Sequence, residues 1–190
     1  GHGAASLPAN ITRMIAVDMG CIGKDLSCTE YDVSICAKDS SGPYDYEMTS
    51  ELIELSKKHN VPLVIHARDA LADTYDFLKA GQHFGIMHCY SGSVEMAQRF
   101  IDLGFYISLA GPVTFKNARV PKEVAKNIDI NKLLIETDCP YLTPHPYRGK
   151  LNEPANVMYI AMEIANLKSM EIEDVARITT FNAKRVLGIK

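Results

Sequence analysis

The sequence predicts an α/β fold built on a parallel β-sheet. Short apolar runs alternate with amphipathic segments at intervals of roughly 20 to 28 residues, which is typical of βα units. Four such runs follow residue 61, and the segments between them place apolar residues three or four positions apart. With 190 residues and 47% hydrophobic content, the chain is long enough for one sizeable core. We therefore expect a single domain over residues 11–190.

The predicted elements follow from these patterns in chain order. The predicted strands are residues 13–18, 31–37, 62–66, 84–89, 105–109 and 133–138, with a loop at 39–43. The predicted helices are residues 47–59, 70–79, 93–104, 121–127, 155–167 and a last one that begins at Ser169. Among the helix ends, Ser93 is a typical N-cap, and Gly81 is expected to be a left-handed C-terminal cap.

Composition and charge narrow the class of protein. Residues 1–10 are small and polar, and we interpret them as a cloning remnant or a disordered end. The formal net charge of −3 provides no global basic field, so a polyanionic substrate needs a local basic patch or bound cations. The sequence has neither a long apolar run nor a signal-peptide pattern, which predicts a cytoplasmic protein without a membrane partner. Five cysteines at no zinc-finger spacing favour buried reduced thiols.

Three predicted strands deliver a metal-binding side chain at their C-terminal end. These side chains are His66, His88 and Asp138. Because the carboxyl ends of parallel strands meet at one edge of a sheet, we expect them to lie close together. Two neutral imidazoles and a carboxylate suit a hydrolytic divalent-metal centre such as zinc. A histidine at a strand end is also a common hydrogen-bonded packing residue, so the metal centre is a hypothesis at this point.

Several polar residues near these strand ends are candidates for substrate binding. Arg148 and Lys150 follow the last strand in a Pro/Gly-rich loop, where they can bind phosphate oxygens or simply be solvated. Arg68 is a further candidate, although it can instead pair with a neighbouring carboxylate. Ser91 precedes a helix start, where backbone amides can bind an anion or the serine can act as a cap. Glu136 is expected to support the site rather than to be a ligand.

Longer motifs add a family resemblance. The stretches concerned are Met87–Ser93 (MHCYSGS), Phe105–Ala118 (FYISLAGPVTFKNA), Leu134–Leu142 (LIETDCPYL) and Arg148–Pro154 (RGKLNEP). With the strand ends above, they closely resemble the TatD family of metal-dependent deoxyribonucleases over about residues 47–189. The resemblance implies an amidohydrolase-like TIM barrel and hydrolysis of DNA phosphodiester bonds. It places His66, His88 and Asp138 on metal-ligand positions and favours a substrate role for Arg148 and Lys150.

The N-terminal part departs from this family pattern. The family opens with a strand that ends in His-x-His and later has a glutamate in Gly-Glu-x-Gly-Leu-Asp, and these residues complete a two-metal site. Here Ala16–Ile22 contains an aspartate without a following histidine, and the glutamate motif does not occur. We therefore expect the N-terminal half of the barrel to be abbreviated or incomplete, and the number of metal ions to be one or two.

The chemistry expected of an intact site is hydrolysis by metal-activated water. Magnesium, manganese or zinc would serve, with Asp138 as a ligand or as the proton acceptor. DNA is the expected substrate. Two alternatives stay open: a related metal hydrolase that acts on a small phosphoester or amide, and a catalytically silent scaffold that lacks the full metal site.

Overall fold

The computed structural model describes residues 34–39, 42–43 and 46–189, with side chains from residue 50 onward. The β-strands are β1 (Ser34–Asp39), β2 (Gly42–Pro43), β3 (Leu63–Ala67), β4 (Gly85–His88), β5 (Phe105–Leu109) and β6 (Leu133–Ile135). The α-helices are α1 (Tyr46–His59), α2 (Leu71–Leu78), α3 (Val94–Asp102), α4 (Arg119–Asn127), α5 (Val157–Lys168) and α6 (Ile172–Leu187). Among these described residues, no helix is long and apolar enough to cross a membrane.

The strands form one sheet in the order β2-β1-β3-β4-β5-β6. All neighbouring pairs from β1 through β6 are parallel, and only β2 is antiparallel, against β1. A helix connects each pair of successive parallel strands from β3 to β6, as parallel pairing requires. The predicted parallel α/β architecture is therefore confirmed.

The sheet is buried on both faces. Strand β5 is buried at all five positions, which explains why it reads as a continuous apolar run in the sequence. On one face, Phe100 packs edge-to-face against Phe105 and against Tyr75, with ring centroids 6.4 Å and 5.8 Å apart. On the other face, Tyr106 and Leu134 pack with Val186 of α6. The strands are thus held from two sides, which fixes their C-terminal ends relative to one another.

The N-terminal predictions are only partly covered by the described residues. The predicted strand 13–18 lies outside them. The predicted strand 31–37 corresponds in part to β1, whose described residues are 34–39. The predicted loop 39–43 is wrong in part, because Asp39 and Lys38 pair with Gly42 and Pro43 in an antiparallel ladder.

Three predicted element ends are also wrong. Strand β6 ends at Ile135 rather than at Asp138, which lies beyond it with a left-handed backbone (φ 55°). Helix α2 ends in a right-handed cap at Lys79 (φ −66°), so Gly81 is not its left-handed cap. Ser169 is the left-handed C-cap of α5 (φ 53°), and α6 begins after Glu171. The C-cap of α2 and the N-cap of α6 therefore lie two residues away from the glycine and the serine that favour those positions.

Candidate metal centre

The structure brings His66, His88 and Asp138 to the same edge of the sheet. The parallel register of β3 and β4 pairs His66 directly with His88, and their ring centroids are 5.6 Å apart. The left-handed turn after β6 directs Asp138 toward the same place, with its Oδ1 3.3 Å from Nε2 of His88. His88 is therefore the central member of the three, with His66 on one side and Asp138 on the other.

Glu136 stabilises this arrangement as a hydrogen-bond acceptor for three neighbours. Its Oε2 accepts from Ser108 Oγ at 2.7 Å and lies 3.0 Å from Nδ1 of His88. Its Oε1 accepts from the backbone N–H of Cys89 at 2.6 Å. Because these partners lie at the ends of β4 and β5, and Glu136 itself directly follows β6, one carboxylate joins three strand ends. The side chain of Glu136 is only 21% exposed, so these bonds are poorly screened by water.

The two carboxylates dominate the electrostatics of His88. Burial by itself lowers the pKa of the imidazole, but the hydrogen bonds and negative charges of Asp138 and Glu136 raise it to about 10. Without a metal, His88 is therefore an imidazolium at neutral pH, with one N–H directed at each carboxylate. Burial, followed by the charges of the same two carboxylates, raises the pKa of the Cys89 thiol, which makes it a poor thiolate ligand at neutral pH.

The side chains at this edge are of the types that bind a divalent metal, but they are not spaced to surround one. Two imidazoles and a carboxylate are a suitable ligand set for zinc or a similar ion. The side chains as arranged do not surround such an ion: within the described part of the chain, no three His, Cys, Asp or Glu residues are spaced to hold a metal. His88 Nε2 and Asp138 Oδ1 instead lie 3.3 Å apart, as a direct ion pair.

The predicted substrate-binding cations lie on the loop after β6, at the same edge of the sheet. Arg148 is exposed, and its guanidinium carbon lies 4.2 Å from the centroid of the Phe115 ring. Lys150 is exposed as well, and its Nζ lies 5.5 Å from the ring centroid of Tyr147. Both cations thus stand over aromatic rings in a loop that follows Asp138 directly.

The other two predicted substrate contacts are near the site but less defined. Arg68 is exposed just after β3, and its positive charge acts to lower the pKa of Cys89, against the larger effect of burial. Ser91 is exposed between β4 and α3 and does not cap the helix. That role belongs to Ser93, whose Oγ accepts from the backbone N–H of Met96 at 3.3 Å, as predicted.

Two residues that shape the site were missed from sequence. Ser108 is the single polar residue of β5 and faces Glu136, which its position in an otherwise apolar strand could have indicated. Asn152 is almost fully buried and donates to the carbonyls of Thr137 (2.8 Å) and Tyr141 (2.6 Å), so it closes the loop after β6 on itself.

The two cysteines whose side chains are described, Cys89 and Cys139, are half-buried, and Cys89 is a free thiol, as the predicted reduced state requires. Each directly follows a candidate metal ligand. The other three cysteines are Cys21 and Cys28, which lie outside the described residues, and Cys36 on β1, whose side chain is not described.

Comparison with solved structures identifies the class to which this fold belongs. The crystal structure of YjjV, a TatD homologue from Escherichia coli K12, matches 84% of this chain and 63% of its own, with a TM-score of 0.72 and 21% identity. An uncharacterized amidohydrolase from Saccharomyces cerevisiae matches 76% of this chain and 60% of its own, with a TM-score of 0.61 and 16% identity. The fold is therefore an α/β fold of the TIM-barrel type.

Sequence comparison identifies the family. The profile described as TatD related DNase matches residues 11–188, so the chain belongs to that family. The match begins well before Glu47, where the recognisable motifs start. Among curated relatives, the uncharacterized metal-dependent hydrolase YabD of Bacillus subtilis is 53% identical over 146 residues, which is 75% of this chain and 57% of that protein. YcfH of Escherichia coli K12, described in the same words, is 42% identical over 140 residues, or 72% and 53%. The chain thus spans little more than half the length of these relatives.

Proposed function

We propose that residues 11–190 form a metal-dependent hydrolase domain that cleaves DNA phosphodiester bonds. The observation that carries the proposal is the position of His88, held between Glu136 and Asp138 and beside His66, at the C-terminal edge of a parallel sheet. In folds of this type, catalytic sites are built at that edge. Membership of the TatD-related DNase family supports a nucleic acid substrate, and the names of the curated relatives support dependence on a divalent metal.

Each residue of the site has a role in this proposal. His66, His88 and Asp138 would hold a divalent ion, which when bound supplies a Lewis acid that activates water and polarises the phosphoryl oxygen. Glu136 accepts the Nδ1 hydrogen of His88, which leaves Nε2 as the ligand atom. Asp138 is 30% exposed, so it can also accept the proton of the attacking water.

The loop after β6 supplies the contacts to the substrate backbone. The exposed cations Arg148 and Lys150 would bind phosphate oxygens on the side of Asp138, and Arg68 and Ser91 would do so from the loops after β3 and β4. Since the whole chain has a formal net charge of −3, such a local group of cations is what a polyanionic substrate requires.

A catalytically silent scaffold is the second candidate function. It is favoured by the spacing of the ligands, because no three metal-binding side chains of the described residues are positioned around an ion. A third possibility, hydrolysis of a small phosphoester or amide, is favoured by the amidohydrolase description of the structurally similar yeast protein.

Degradation of end-labelled single-stranded DNA separates these candidates. The protein is stripped of metal with a chelator and assayed with added magnesium, manganese or zinc, beside bis(4-nitrophenyl) phosphate as a small phosphodiester. The Asp138→Ala variant is compared with Asp102→Ala, which removes an exposed carboxylate at the end of α3. Metal-dependent cleavage of DNA that is lost only in Asp138→Ala is the expected result. A folded protein that cleaves neither substrate with any of the three ions would contradict the proposal and favour the scaffold.

A further inference from the structure

A group of aromatic and cationic side chains that the metal centre does not use lies on the loop between β6 and α5, on the segment after β5 and on α5. We call this group the aromatic loop surface. Its members are Phe115, His145, Tyr147, Arg148, Lys150 and Tyr159. The loop follows Asp138 directly, and its Tyr141 donates its backbone N–H to the Asp138 carbonyl at 2.9 Å.

One half of this surface is built around Phe115. The guanidinium carbon of Arg148 lies 4.2 Å from the ring centroid of Phe115, which is a close cation–π contact. His145 packs edge-to-face on the same ring, with centroids 6.2 Å apart at 88°. The backbone N–H of His145 donates to Thr114 Oγ1 at 2.9 Å, which ties the loop to the turn after β5. The Arg148 guanidinium is therefore held against the Phe115 ring while the residue remains exposed.

The other half is a pair of tyrosines. The rings of Tyr147 and Tyr159 are 5.4 Å apart at 75°, and their hydroxyl oxygens are 3.3 Å apart. Lys150 lies over the Tyr147 ring, with its Nζ 5.5 Å from the centroid. Tyr147 remains 39% exposed despite these contacts. The helix α5 residue Tyr159 thus orients Tyr147 without burying it.

The loop between β6 and α5 is held in place by hydrogen bonds to its own backbone. Tyr147 N donates to Pro144 O at 2.9 Å, Lys150 N donates to Tyr147 O at 3.0 Å, and Thr143 Oγ1 donates to Lys150 O at 2.5 Å. Gly111 packs so closely against the loop that a Cβ there would lie 1.7 Å from the carbonyl oxygen of Leu142. Because the loop is already ordered, less conformational entropy is lost when a ligand binds to it.

We propose that Tyr147 and Arg148 form a stacking subsite for unpaired nucleobases next to the metal centre. Exposed rings and guanidinium planes interleaved with cations are what single-stranded nucleic acid binds, because every base has a π-face and every linkage has a negative charge. Bases within a duplex are already stacked and cannot enter. The inference rests on the proposed function, since it assigns the bases of the same substrate to this chain's own loop.

The test compares two fluorescein-labelled oligonucleotides that carry the same number of phosphates. One is a twelve-residue oligothymidine, and the other has the same backbone with abasic tetrahydrofuran units. Their affinities for the full chain are measured by anisotropy in the presence of a chelator, so that no cleavage occurs. We expect the unsubstituted chain to bind the oligothymidine roughly tenfold more tightly, the size expected for stacking of a single base.

Two variants locate this preference on the proposed subsite. Tyr147→Leu and Arg148→Lys are each expected to reduce the preference to about twofold or less, although Arg148→Lys keeps the charge that binds phosphate. Phe181→Leu is the matched control, because Phe181 is an exposed aromatic residue (63%) on α6, far along the chain from the loop. Thermal unfolding of all three variants shows whether they keep the fold.

The outcomes distinguish this inference from the proposed function. Equal binding of the two oligonucleotides, no binding of either, or an unchanged preference in Tyr147→Leu would overturn the subsite, whatever the cleavage assay gives. A preference that Tyr147→Leu and Arg148→Lys remove and Phe181→Leu keeps would support it. If that preference is found in a protein that hydrolyses no DNA with any ion, the subsite stands and the proposed hydrolysis does not.

Discussion

The substitution Glu136→Gln replaces one carboxylate oxygen by an NH₂ group. It tests whether the hydrogen bonds of Glu136 hold His88 in place. The carboxylate accepts from three donors, namely Ser108 Oγ, His88 Nδ1 and the backbone N–H of Cys89. A glutamine has one acceptor oxygen and one NH₂ group, so it cannot serve both sides. If its NH₂ group faces Cys89, two donors oppose each other. If it faces His88, Nδ1 must lose its proton to become the acceptor, and the resulting neutral imidazole carries its hydrogen on Nε2, the proposed ligand atom.

The magnitude follows from the number and type of bonds. A hydrogen bond to a charged group contributes about 1.5–3 kcal/mol, and a buried donor left without a partner costs about 1–3 kcal/mol. Since Glu136 is mostly buried, we expect Glu136→Gln to lower the free energy of unfolding by about 2–3 kcal/mol. For a chain of this length, that corresponds to a fall in Tm of roughly 5–10 °C. We expect the affinity for zinc or manganese to fall by about 10–100-fold, as for other residues that orient a ligating histidine.

Thermal unfolding and calorimetric metal titration of the chelator-treated protein measure both quantities. Glu163→Gln is the matched control, because the side chain of Glu163 is about as exposed (24%) as that of Glu136 but forms a 3.0 Å ion pair with Lys122, between α4 and α5 and away from His88. One ion pair of this kind contributes less than the three hydrogen bonds of Glu136, so this variant should lose less stability and keep its metal affinity. The reasoning is refuted if Glu136→Gln binds metal as tightly as the unsubstituted chain while Asp138→Ala does not bind it.

Two further predictions follow from the contacts of His88 and Asn182. The pKa of His88 is raised to about 10 in the folded, metal-free chain, so its contribution to stability is complete below its ordinary pKa of about 6.5 and is lost as the pH rises toward 10. Within that window, the free energy of unfolding should fall by about 1.4 kcal/mol per pH unit in denaturant titrations, and the slope should disappear in His88→Gln; an equal slope in both proteins would contradict this assignment. Asn182 on α6 is almost fully buried and donates to the carbonyls of Ile130 (2.8 Å) and Leu133 (2.9 Å). We expect Asn182→Ala to cost about 2–4 kcal/mol, because two carbonyls lose their partner, and the exposed control Asn131→Ala to cost less than 1 kcal/mol; similar urea midpoints for the two variants would be inconsistent with this role.

The elements that sequence reasoning predicted well are those set by burial or by local chemistry. Strand β5 is covered on both faces and therefore reads as an apolar run, and Ser93 caps α3 with its own hydroxyl. Gly81 shows where such reasoning stops. Its residue type favours a left-handed cap, yet the structure uses its small size, because a Cβ there would lie 2.1 Å from Nε2 of His83. A packing requirement between residues of one loop leaves no periodic trace in the sequence.

The sequence predicted that the candidate ligands meet at one edge of the sheet, but it did not predict the contacts among them. The reason is the role of a residue in β5. His66 and His88 stand on adjacent strands, whereas Glu136 follows a strand two positions away from β4, a distance of roughly 10 Å at the spacing of sheet strands. A carboxylate can reach His88 across that distance only if the intervening strand presents a small side chain there. Ser108 meets that requirement and adds a hydroxyl that donates to the same oxygen, so a leucine at this position would separate Glu136 from His88. The geometry of the site therefore depends on a residue that is neither a ligand nor part of a ligand motif.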